Sequence, residues 1–124
     1  MDDRAFLKLI EFLEKVPAIK GTIAKGVGED DCWWVKFEID INHRFAWHTV
    51  QELGHVLNYM SVEERLPTSF HPVSPPPYMN GGPEEFLSWV IECHNPEFKP
   101  GTCAEWLIGR LPNPVENLDQ WHVE

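Results

Sequence analysis

The chain has 124 residues, and 20 Asp and Glu against 10 Lys and Arg give it a formal net charge of −10. Hydrophobic residues make up 43% and charged residues 24%, which is typical of a globular protein and argues against wholesale disorder. The length predicts a single domain over residues 1–124. The acidic balance and the scattered Lys and Arg disfavour nucleic acid and anionic lipid as partners.

The cysteines and the N-terminal residues indicate the compartment. The chain has three cysteines, Cys32, Cys93 and Cys103, which is an odd number, and no Cys-x-x-Cys pair occurs. We therefore expect structural thiols rather than a disulfide framework. Residues 1–16 lack the basic start and apolar run of a signal peptide, and no stretch approaches the ~20 apolar residues of a membrane span. The expected location is a reducing cytoplasm, without membrane contact.

Hydrophobic periodicity predicts most helices and strands. The clearest pattern begins at Cys32, where apolar side chains alternate with polar ones, as in a strand with one buried face. Asn42 and Thr102 are candidate helix caps, while Pro17 and Pro112 are expected to end helices. In chain order we predict a helix from Asp2 or Asp3 to about Val16, strands over 18–26 and from Cys32 to Ile41, a helix from Phe45 to Met60, an extended segment over 66–74 and a helix from Thr102 to about Leu111.

The segment from Phe86 to Cys93 fits two patterns. Pro83, Glu84 and Glu85 resemble a helix first turn, yet the β-branched residues and the alternation that follow favour a strand. With a strand there, the element order is α-β-β-α-β-β-α. This order predicts an α+β fold with an antiparallel sheet of about four strands and helices mainly on one face. The tail over 113–124 is expected to be either a docked strap or mobile.

A proline-rich segment is the most unusual part of the sequence. Residues 67–83 hold six of the eleven prolines, and an Asn-Gly-Gly turn signal comes just before the last of them. Pro75, Pro76 and Pro77 are expected to form a stiff extended stretch that presents Tyr78 and Met79. A rigid loop of this kind is typical of a partner-binding surface, although prolines also brace folds.

Tryptophan and charge point to the kind of partner. Trp34 is expected on the solvent face of the strand from Cys32 to Ile41, where an aromatic side chain can contact another protein. Residues 66–124 hold eight acidic residues against Lys99 and Arg110, which favours a basic partner. A homodimer is an open alternative. We therefore expect a non-catalytic, cytoplasmic protein-binding protein of the adaptor, chaperone or inhibitor type, without a cofactor.

An enzymatic alternative rests on the predicted second helix. Gln51-Glu52-Leu53-Gly54-His55 resembles the zincin motif His-Glu-x-x-His, but glutamine replaces the first histidine. His48, Glu52 and His55 have a spacing that can place them on one helix face, where they would bind a metal weakly. The alternative function is therefore a small metal-dependent hydrolase or metal-binding protein.

Overall fold

The computed structural model describes residues 4–40, 42–59, 66–73, 86–112, 115–117, 119 and 121. Within them, three helices and a four-stranded antiparallel sheet follow the order α-β-β-α-β-β-α, which confirms the predicted α+β fold. The elements are α1 (Arg4–Lys15), β1 (Ile19–Val27), β2 (Trp33–Asp40), α2 (Ala46–Tyr59), β3 (Thr68–Pro72), β4 (Phe86–Cys93) and α3 (Pro100–Arg110).

Two predicted capping residues are wrong. The Asn42 N–H donates to Asp40 Oδ1 at 3.0 Å in a tight turn, and α2 begins only after His43 Nδ1 has accepted the N–H of Phe45. The last helix begins at Pro100, ahead of Thr102, because proline lacks an N–H and suits the first helical turn. The predicted cap at Asp2 or Asp3 lies outside the described residues.

The sheet has the strand order β1-β2-β4-β3, with every neighbouring pair antiparallel. The predicted alternation holds in β2, where Val35, Phe37 and Ile39 are buried and Lys36 is exposed. The helices pack on the buried face, because one stripe of each is apolar. Their core side chains include Phe6, Leu9 and Leu13 of α1, Leu53, Val56 and Leu57 of α2, and Cys103, Ala104 and Leu107 of α3.

Three aromatic rings join the central strands to β3. The Phe70 ring lies nearly parallel to that of Trp89 with centroids 4.8 Å apart, and to that of Phe37 at 6.1 Å. Phe37 and Trp89 are direct cross-strand partners in β2 and β4. Large aromatic side chains supply much of the energy of a small core, so this stack fixes β3 against the sheet.

An asparagine of α2 closes the outer edge of the sheet. The Val73 N–H donates to the Ser88 carbonyl, so Val73 and Ser88 form a hydrogen-bonded pair. Hydrogen-bonded and non-hydrogen-bonded pairs alternate along antiparallel strands, so the N–H and C=O of Phe70 point away from β4. Asn58 bonds both groups: its Oδ1 accepts the Phe70 N–H at 2.8 Å and its Nδ2 donates to the Phe70 carbonyl at 3.0 Å. Thr68 Oγ1 also donates to the Leu57 carbonyl at 2.9 Å.

The packing predicts a sharp contrast between adjacent residues of β2. Phe37→Ala should lower the free energy of unfolding by about 3–5 kcal/mol, because it removes a buried ring and leaves a cavity. Lys36→Ala should change it by less than about 0.5 kcal/mol, because the side chain is exposed. Urea unfolding measures both, and a loss below about 1 kcal/mol for Phe37→Ala would contradict the face assignment.

The edge contact makes Asn58 a stability determinant of α2. Asn58→Ala leaves the outward N–H and C=O of Phe70 without their protein partner, so unfolding should become easier by about 1–3 kcal/mol. Gln51→Ala on the same helix is the matched control, expected within about 0.5 kcal/mol of the parent. Equal effects of the two substitutions in urea would show that the Asn58 bonds add nothing to stability.

Candidate functional site

Trp34 belongs to a shallow surface on the face of the sheet opposite the described helices. We call this surface the Trp34 patch; it is formed by Trp34 and Lys36 of β2, Val90 and Glu92 of β4, and Val73. Its depression has a volume of about 280 Å³. In β4 the side chains of Trp89 and Ile91 point to the core, so Val90 between them points to the opposite face. Val90 is nevertheless only 5% exposed, so this face also has an apolar centre. His71 Nε2 lies 3.5 Å from the Glu92 carboxylate at the border.

A glycine positions the Trp34 indole. Gly26 of β1 is the direct cross-strand partner of Trp34. A Cβ atom built on Gly26 would overlap the six-membered ring and Nε1 of that indole, so only glycine lets the ring lie across β1. The ring is half-buried there, which leaves its other face to solvent.

We expect Gly26→Ala to displace the indole. In the parent protein the added methyl should cost about 1–3 kcal/mol of stability, because the ring must move off β1. In a Trp34→Ala background the same change should be nearly neutral, since nothing then occupies the space. A double-mutant cycle by urea unfolding measures this coupling, and an identical cost in both backgrounds would refute the contact.

The other predicted partner-binding residues are Pro75, Pro76, Pro77, Tyr78 and Met79, which lie outside the described residues. Val73, a patch residue that is 37% exposed, itself belongs to the proline-rich segment, and Pro75 follows it two positions later in the sequence.

A second concave surface lies between α2 and the β3–β4 part of the sheet. We call it the α2 groove; Val50, Gln51, Gly54, His55 and Asn58 of α2 form one wall, and the stacked rings of Phe70 and Trp89 form the other. Its volume is about 430 Å³. The lining is mostly apolar, with the amides of Gln51 and Asn58 and the imidazole of His55 at its border. Such a surface can take up a small apolar group.

The stripe of α2 that faces the groove begins with an exposed tryptophan. Trp47, Gln51, Gly54 and Asn58 follow one another at spacings of four and three residues, which places them on one helix face. Trp47 is 62% exposed, more than the other large hydrophobic side chains described. Trp47 therefore continues this stripe one helical turn beyond the residues that line the groove.

The three residues of the enzymatic alternative are not brought together as a ligand set. His48 packs its ring edge-on to Phe45 at 5.6 Å, and its Nδ1 is buried without a hydrogen-bond partner. Glu52 is half-buried, and His55 is exposed at the border of the α2 groove. In the part of the chain that the structure describes, no three His, Cys, Asp or Glu side chains are placed to hold a metal ion.

We predict that the purified protein contains no stoichiometric metal and keeps its fold in EDTA. Gln51 stands where a zincin requires an imidazole, and an amide is a poor ligand for zinc. Elemental analysis and circular dichroism with and without chelator measure the two outcomes. One bound zinc per chain, or unfolding in EDTA, would instead favour the alternative built on His48, Glu52 and His55.

The cysteines have the character of structural thiols. Burial raises the pKa of Cys103 to about 12, and burial also raises the pKa of Cys93. Cys32 is half-buried, and desolvation together with the nearby carboxylate of Asp30 raises its pKa too. Thiols with raised pKa values are protonated at neutral pH and are weak nucleophiles. Cys93 is buried while the adjacent His94 is exposed, so the two do not form a nucleophile pair.

Sequence reasoning missed the α2 groove. Its two walls are distant in the chain, and their meeting depends on the pairing of β3 with β4. One local signal was present: Gly54 interrupts a helical pattern on the same stripe as Trp47, where a glycine lowers helix stability.

Comparisons with protein-family models, curated proteins and solved structures find no match for this chain. None of the described helices is long and apolar enough to cross a membrane.

Proposed function

We propose that this chain is a small acidic protein that binds another protein and has no catalytic activity, in the manner of an adaptor, chaperone or inhibitor. The observation that supports this most directly is the Trp34 patch. Trp34 and Val73 provide accessible apolar surface beside the buried Val90, and Lys36 and Glu92 provide charged groups around it. An aromatic and aliphatic centre with a charged border is typical of protein interfaces.

The proline-rich segment is proposed as the second part of this interface. Val73 belongs to the patch, and Pro75 to Met79 follow it almost immediately in the chain. Contact of Tyr78 and Met79 with the same partner stays a prediction from sequence. Stiff proline backbone would favour it, because less conformational entropy is lost when a rigid segment binds.

Charge selects the class of partner. A net charge of −10 attracts a basic protein and speeds its encounter with the patch. Two copies of the chain would repel each other for the same reason, so we favour a basic partner over a homodimer. We also propose a reducing cytoplasm as its location, because Cys32, Cys93 and Cys103 are all free thiols.

We predict that Trp34→Ala weakens partner capture at least about tenfold, since removal of a central interface aromatic commonly has an effect of that size. Tyr78→Ala with Met79→Ala should also weaken capture while the Tm changes little. Trp47→Ala is the matched control, because it removes an exposed tryptophan that belongs to the α2 stripe.

A photo-crosslinking residue at position 73 supplies the measurement. It should join the chain to one basic protein of the native host, and added salt should reduce the yield. The same residue at Leu7, an exposed position on α1, is the control for non-specific joining. Equal yields at both positions, or equal capture by Trp34→Ala and Trp47→Ala, would contradict this assignment of the interface.

A further inference from the structure

Trp89, one of the residues that line the α2 groove, carries a buried hydrogen-bond donor without an acceptor. Trp89 is 7% exposed, and its indole Nε1 has no hydrogen-bond partner. Buried polar groups in folded proteins are nearly always paired, because an unpaired donor has lost water without replacing it. Trp89 lines the groove, so a rotation of its indole that brings Nε1 to the groove surface would let a bound molecule supply the missing acceptor.

Gly54 keeps the wall of the groove open. A Cβ atom built on Gly54 would meet only Asn58 Nδ2, at an ordinary 3.9 Å, so the fold itself does not require glycine there. In the interior of α2 alanine would favour the helix more. By comparison, the helical residues Gly101 and Gly109 lie near the two ends of α3, where a glycine lowers helix stability less than in the interior. Packing therefore does not require a glycine at residue 54, and the missing side chain leaves space along the groove wall.

The lining defines the chemistry of the occupant. The parallel rings of Phe70 and Trp89 favour a flat apolar molecule, and the amides of Gln51 and Asn58 at the border carry no charge. Among the described residues that line the groove there is no Asp, Glu, Lys or Arg. The net charge of −10 disfavours an anion. A volume of about 430 Å³ lies within the range of small-molecule sites.

We propose that the α2 groove binds a small, uncharged aromatic molecule whose carbonyl oxygen accepts the Nε1–H of Trp89. The ring of the ligand packs against the wall at Gly54, and a slight rotation of the indole exposes Nε1 to the carbonyl. This site is separate from the proposed protein interface, because Trp89 and the Trp34 patch lie on opposite faces of the sheet.

Three matched probes test the proposal: indole-3-carboxamide, indole, which lacks the carbonyl, and indole-3-carboxylate, which is an anion. Each is titrated into ¹⁵N-labelled protein while the indole N–H resonance of Trp89 is followed by NMR. The carboxamide should shift this resonance saturably, with the tightest binding of the three. Loss of one hydrogen bond should weaken the binding of indole about two- to tenfold.

Two variants assign the binding to the groove. Gly54→Leu fills the space beside the rings and should weaken carboxamide binding at least about tenfold. Trp89→Phe keeps an aromatic ring but removes the donor, so the carboxamide and indole should then bind equally, measured through the remaining shifted resonances. Trp34→Ala is the control, expected to change no probe affinity, whatever its effect on partner capture.

The proposal is overturned if no probe gives a saturable shift at concentrations up to about 1 mM. It is also overturned if folded Gly54→Leu protein binds as the parent does. Should Gly54→Leu fail to fold, Trp89→Phe decides alone: a carboxamide preference that survives this change rules out the Nε1–H contact.

Discussion

The paired hydrogen bonds between Asn58 and the backbone of Phe70 are the interaction on which the shape of this molecule most depends. They satisfy an outward-facing N–H and C=O that would otherwise invite a strand from another molecule. Pro72 occupies the next outward position of β3 and has no N–H to offer. The β3 edge is therefore closed at Phe70 and Pro72, and α2 is held beside the aromatic rings of the groove.

Strand β4 connects the two candidate surfaces. Successive side chains of a strand point to opposite faces, so Trp89 contributes to the α2 groove while Val90 and Glu92 contribute to the Trp34 patch. The register of β4 between β2 and β3 thus determines both surfaces at once. The proposed protein interface and the proposed ligand site can nevertheless fail or succeed independently, because no described residue lines both.

Local patterns were sufficient for the fold class but not for the sites. The alternation of β2 was visible because its outer face is mostly polar, whereas β4 was ambiguous because Pro83, Glu84 and Glu85 before it resemble the first turn of a helix. The predicted cap at Asn42 is wrong because α2 begins only at Ala46, after a turn in which the Asn42 N–H donates to Asp40 Oδ1. The groove required the pairing of Phe70 with Ile91, a contact between distant segments that no local period encodes.

Hydrogen exchange at the amide of Phe70 measures directly whether Asn58 of α2 closes the β3 edge of the sheet. The ladder bonds the neighbouring amides of Ser69 and His71 to β4, while the Phe70 N–H depends on Asn58 Oδ1. We predict that in the parent protein the Phe70 amide exchanges about as slowly as the amides of Ser69 and His71. In Asn58→Ala protein the Phe70 amide alone should exchange fast. Rapid exchange at Phe70 in the parent protein, with Ser69 and His71 protected, would show that α2 does not close this edge.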